Sequence, residues 1–61
     1  MYWEVIKRQT KTGMYVDIVK AFEFNEETKE VVHNQALKYA KRKNRLDFMK
    51  KYYYEVEFNW K

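Results

Sequence analysis

Gly13 is the only glycine in 61 residues, and the chain contains no proline. Glycine enters positive φ without steric cost, so a tight reversal has one natural place here. On either side lie segments rich in β-branched and aromatic residues, Tyr2 to Arg8 (YWEVIKR) and Met14 to Phe24 (MYVDIVKAFEF). Such segments suit a pleated, half-buried surface and predict two strands joined in a hairpin. A three-residue loop, Lys11-Thr12-Gly13, pairs Thr10 with Met14. The same register sets Lys7 opposite Asp17, Glu4 opposite Lys20, Ile6 opposite Ile18 and Val5 opposite Val19. Two opposite-charge pairs and two like apolar pairs support it.

A third strand is predicted over Tyr52 to Trp60, where alternation is clean. Tyr52, Tyr54, Val56, Phe58 and Trp60 share one face; Tyr53, Glu55, Glu57 and Asn59 share the other. The first set matches Met14, Val16, Ile18, Phe22 and Phe24, and both are expected to line a core beneath a helix. Helical periodicity supports that helix from about Asn34 to Arg45. Ala36, Leu37, Tyr39, Ala40 and Leu46 form its apolar arc, and Lys38, Lys41, Arg42 and Arg45 lie opposite. Extension backwards places Lys29 within the apolar arc and Val31 within the basic one; extension forwards places Asp47 in the apolar arc. Asn34 is a good N-cap and Asn44 a natural stop. Residues 25–33 are therefore expected to form a second hairpin with a short strand, Glu30 to Val32, in preference to a helix opened by Asn25-Glu26-Glu27-Thr28. The expected fold is α+β, a single domain over 1–61 with the order β-β-(β)-α-β. One amphipathic helix would pack on one face of a three- or four-stranded, mostly antiparallel sheet. A last strand parallel to the first would make the helix a right-handed crossover.

A chain this short holds one small core, and without cysteine no disulfide or thiolate metal site can reinforce it. Aromatic residues, 20% of the chain, must supply much of the burial. No apolar run reaches the length of about 20 residues that spans a membrane, and the N-terminus lacks a signal-peptide core. An intracellular, cytoplasmic location with no membrane partner is expected.

Charge is unevenly placed. Lys38, Lys41, Arg42, Lys43, Arg45, Lys50 and Lys51 fall within 38–51 with Asp47 as the only acid, so this segment carries +6 of a net +4 chain. A helix with one basic stripe can lie along phosphates and release their counterions. Lys38, Lys41, Arg42, Arg45, Lys50 and Lys51 are the candidate nucleic-acid-binding residues of a non-enzymatic module that contacts nucleic acid or a nucleoprotein. The plainer alternative is a solvated face that keeps a small protein dispersed. No helix-turn-helix, zinc-finger or RNP-type pattern accompanies the stripe.

The second candidate is the sheet face away from the helix. The register above places Trp3, Val5, Tyr15, Val19, Ala21 and Tyr53 there, among Asp17, Glu23, Glu55 and Glu57. Apolar and aromatic residues surrounded by acids suit a protein partner. Trp3, Tyr15, Val19 and Tyr53 are the candidate anchors of the alternative function, a protein-interaction or inhibitor module docking on a host or partner protein. A symmetric homodimer covering Trp3, Val5, Tyr15 and Val19 would also bury this face. A third candidate is Tyr52-Tyr53-Tyr54 beside Lys50-Lys51, since aromatics interleaved with bases serve single-stranded nucleic acid. A final strand with two buried tyrosines explains the run more simply.

His33 is the only histidine, so no metal site is expected. Serine is absent, Gly13 stands alone, and neither a serine nucleophile nor a glycine-rich phosphate loop exists. No enzyme activity and no cofactor are expected. The short length, the many Lys, Tyr and Asn, and the lack of proline resemble the composition of small phage and mobile-element accessory proteins from AT-rich bacterial genomes.

Overall fold

The structure is a computed structural model that describes residues 1–47 and 49–60. Its elements are β1 (Tyr2–Gln9), β2 (Tyr15–Glu23), α1 (Lys29–Leu46) and β3 (Tyr52–Asn59). The sheet order is β2-β1-β3, and both outer strands run antiparallel to β1. The fold is therefore the expected α+β arrangement, three antiparallel strands and one helix packed on them. Because β2 and β3 run alongside each other with β1 between, α1 is the crossover that carries the chain from one edge to the other. β3 is antiparallel, not parallel, to the first strand.

The hairpin turns at the glycine, which has φ 74°. The Gln9 N–H donates to the Met14 carbonyl (2.9 Å) and the Gly13 N–H to the Gln9 carbonyl (2.8 Å). Gln9, not Thr10, thus faces Met14. Two irregularities in β2 then shift the register. Lys7 faces Asp17 and Ile6 faces Ile18 as expected, but Val5 faces Lys20, Glu4 faces Ala21 and Trp3 faces Phe22. The extra residue opposite Val5/Ile6 is Val19.

That bulge decides which residues form the core. An unbroken register would align Trp3 and Val5 with Val19, Ala21 and Glu23. The bulge aligns them with Phe22 and Phe24 instead, so the largest apolar side chains of both strands gather on one face. β3 adds Tyr54, Val56 and Phe58 to it, paired with Lys7, Val5 and Trp3. Val5, Ala36 and Ala40 are the buried centre, with Trp3, Val19, Phe22, Tyr39, Tyr54 and Val56 packed around them. The two alanines let the helix backbone approach the sheet closely. The far face has its own covered point: Ile6, flanked by Ile18 and Glu55 on the adjacent strands, is only 3% exposed.

The expected second hairpin does not form. Residues 29–33 belong to α1, which starts five residues before Asn34. Asn25 and Thr28 lock the preceding turn, each backbone N–H donating to the other's side-chain oxygen (3.0 Å both). Lys29 tolerates its angular position because only its backbone is used: its carbonyl accepts the Trp3 indole N–H (3.2 Å). Val31 is left 60% exposed on the outer side of the helix. At the other end Asn44 does not stop the helix. Its side chain accepts the Tyr54 N–H (2.8 Å) and donates to the Tyr54 carbonyl (3.0 Å), standing in for a fourth strand at the free edge of β3. Asp47 accepts the Tyr52 N–H next to it (2.9 Å).

Candidate nucleic-acid interface

The sheet-facing stripe of α1 runs through Val32, His33, Ala36, Ala40 and Asn44, at the helical spacing of three and four. Lys38, Lys41, Arg42 and Arg45 lie diametrically opposite, and all four are exposed. They span about 10 Å of helix axis, close to three nucleotide rises along one strand. Every one of them has another within three or four residues, where like charges repel by a few tenths of a kcal/mol per pair. No acid relieves this: among the described residues, both salt bridges belong to Arg8. Lys43, in the same basic segment, turns to the sheet side with its Nζ 5.7 Å from the centre of the Tyr39 ring.

Lys50 and Lys51 lie beyond the helix, in the α1–β3 connection, and both are exposed. Lys50 has a left-handed backbone (φ 56°) and its Nζ donates to the Asn44 carbonyl (3.5 Å). The Thr10 N–H donates to the Lys51 carbonyl (3.0 Å), which ties this connection to the β1–β2 turn. Between the two segments lies an open groove of about 460 Å³, lined by Lys11, Met49, Lys50, Lys51 and Tyr52 together with Gln9 and Thr10. The basic stripe and this groove occupy the same end of the molecule. Lys11 and Met49 were invisible as site residues in the sequence, because only the hairpin's return past the α1–β3 connection brings them together.

The expected aromatic sheet face is divided. Tyr15 and Tyr53 lie on the face away from the helix, each opposite Arg8. Trp3 and Val19 do not; they pack against the core under the helix. Trp3 stacks on His33 (4.1 Å) and Phe24 (5.1 Å) and meets Phe58 edge-on (5.4 Å). Trp3, Val5, Tyr15 and Val19 consequently share no single surface for a dimer to cover. The tyrosine run is split in the same way, with Tyr54 in the core, Tyr52 in the groove and Tyr53 on the open face.

That open face is acidic. Glu55 and Glu57 grip the Arg8 guanidinium, with 2.8 Å from Arg8 to Glu57, and Arg8 also donates to the Gly13 carbonyl (3.1 Å). The hydrogen bond from Arg8 holds the Glu57 carboxyl below its ordinary range. Hydrogen bonds to Glu57 and then Glu55 raise Arg8 above the usual guanidinium value. Asn59 donates to Glu4 alongside (2.8 Å).

Among the described residues, no group of three or more His, Asp or Glu is placed to hold a metal ion. No helix among them is long and apolar enough to cross a membrane. No protein-family model, curated protein or solved structure matches the chain.

Proposed function

We propose that this protein is a non-enzymatic nucleic-acid-binding module that lays the outer face of α1 along a phosphate backbone. One observation carries the reading: Lys38, Lys41, Arg42 and Arg45 are exposed together with no acid partner among the described residues, while the carboxylates Glu4, Glu23, Glu55 and Glu57 share the opposite sheet face. Four adjacent bases repel one another until a polyanion is present. The acidic far side disfavours a second strand there, so contact is one-sided. Binding by phosphate contacts is largely independent of sequence. Four such contacts give a slope of about −3.6 in log affinity against log salt, or roughly a 150-fold loss between 50 and 200 mM.

Anisotropy titration of labelled duplex and single-stranded DNA and RNA, at several salt concentrations, tests this. Charge reversal of Lys38, Lys41, Arg42 and Arg45 to Glu is expected to abolish binding while the circular dichroism spectrum is retained. Absence of binding to any of these nucleic acids near 50 mM salt would refute it.

A second reading rests on the uncovered sheet face, where Tyr15 is 54% and Ile18 39% exposed on the same face as Glu23, Glu55 and Glu57. It is a protein-interaction or inhibitor module whose partner presents basic and apolar groups. Tyr15→Ala would then weaken the protein partner and leave nucleic-acid affinity unchanged.

A further inference from the structure

The groove at the basic end of the molecule is not part of the helix stripe, and its chemistry differs. The stripe is charge alone. The groove combines charge with an aromatic ring and a flexible thioether. Lys11 comes from the β1–β2 turn, Lys50 and Lys51 from the α1–β3 connection, and no carboxylate lines it among the described residues. Lys11 and Lys51 make no side-chain hydrogen bond or ion pair among the described residues. Tyr52 lines the groove as well, with the Lys7 ammonium 4.1 Å from its ring centre. Met49 is 69% exposed beside it. The volume lies within the range of about 300–1,000 Å³ typical of small-molecule sites, and the groove is open at the surface. A duplex is too wide and stiff to enter. A single unstacked nucleotide is not.

We propose that this groove receives an unpaired nucleotide at a duplex end or junction, its phosphate held by Lys11 and Lys51 and its base resting against Tyr52 and Met49. The left-handed backbone of Lys50 fits this assignment. A non-glycine residue held at φ 56° is unfavourable, and here it is the residue that turns the chain between the end of α1 and the rim of the groove. The proposal rests on the nucleic-acid reading of the helix face and adds the form of nucleic acid preferred: a duplex joined to a short single strand.

The test compares three labelled DNAs by anisotropy at constant salt: a blunt duplex, the same duplex with a short single-stranded extension, and that duplex with an abasic extension of equal charge. Stacking of one base predicts roughly tenfold tighter binding of the normal extension than of the abasic one. Tyr52→Leu keeps an apolar side chain in the strand but removes the stacking surface, and should reduce the difference to near unity with blunt-duplex affinity unchanged. Should Tyr52→Leu fail to fold, Met49→Glu places a carboxylate in the groove from an exposed position. It should erase the advantage of the extended duplex over the blunt one. Equal affinity for normal and abasic extensions, or a difference that survives both substitutions, overturns the groove assignment and leaves the helix reading standing. Conversely, Lys38→Glu with Arg45→Glu should weaken blunt and extended duplexes alike; if neither weakens, the helix reading falls. A wild-type protein that binds none of the three overturns both.

Discussion

Replacing Asn44 by alanine tests how the helix is held on the sheet. The Asn44 side chain makes two hydrogen bonds to one backbone unit, to the N–H and C=O of Tyr54 at 2.8 and 3.0 Å, in a part-buried position. Each such bond contributes about 0.5–1.5 kcal/mol net, so the pair contributes about 1–3 kcal/mol. Alanine's better helix propensity returns roughly 0.5 kcal/mol. A net loss of about 1.5 kcal/mol is a large share of the ~3–9 kcal/mol that a domain of this length holds. At about 4–8 °C per kcal/mol, the melting midpoint should fall by about 6–12 °C. Asn34, exposed on the outer side of the same helix, supplies the control: Asn34→Ala carries the propensity gain without lost bonds and should raise the midpoint slightly. Thermal melts followed by circular dichroism, with urea titrations alongside, measure both. Asn44→Asp retains an acceptor for the Tyr54 N–H but sets a carboxylate oxygen against the Tyr54 carbonyl, so it should be at least as damaging as alanine and partly relieved in acid. Equal midpoints for Asn44→Ala and Asn34→Ala would show that water replaces these bonds at no loss, and the account of α1 as guardian of the β3 edge would be wrong.

Trp3→Ala removes the stacking on His33 and Phe24 and the indole bond to the Lys29 carbonyl, a truncation worth about 3–5 kcal/mol that takes half or more of the stability of a domain this size; the melting midpoint should fall by more than about 12 °C, and a wild-type melt would contradict the placement of Trp3 under the helix. Gly13→Ala should destabilise by about 1 kcal/mol although the added methyl has room, its nearest neighbour being the Tyr53 hydroxyl at 3.8 Å, because φ of 74° is strained for any residue with a Cβ. Gly13→Asn, which tolerates this conformation, should lose less in the same urea titration. The Glu57 carboxyl is held low by Arg8, so its contribution is present above the ordinary glutamate range and is lost as pH falls through its lowered value. Glu57→Gln should flatten the acid side of the stability profile by a small amount, since the pair is solvent-exposed; an unchanged acid limb would exclude Glu57 as its source.

The local chemistry of this chain was legible in its sequence. A single glycine between two β-rich segments located the hairpin, alternation from Tyr52 to Trp60 located the last strand, and 3.6-residue periodicity set the basic arc of Lys38, Lys41, Arg42 and Arg45 opposite Ala36 and Ala40. Each of these is a short-range property, read from neighbours within one or two turns. The start of the helix was not legible, because Lys29 and Val31 break the apolar pattern and only the packing of Trp3 against Lys29 and His33 from the far end of the sequence makes that turn worthwhile. The faces of β1 were not legible either. Pairing energies over four residues favour the unbroken register, whereas the bulge at Val19 is favoured by a sum over the whole sheet that brings Trp3, Phe22, Phe24 and Phe58 together. Since side chains alternate with a period of two, that one inserted residue moved Trp3 and Val5 from the surface to the core. The groove between Lys11 and Lys51 arises in the same way, from two loops about 40 residues apart that meet only when α1 has carried the chain back across the sheet.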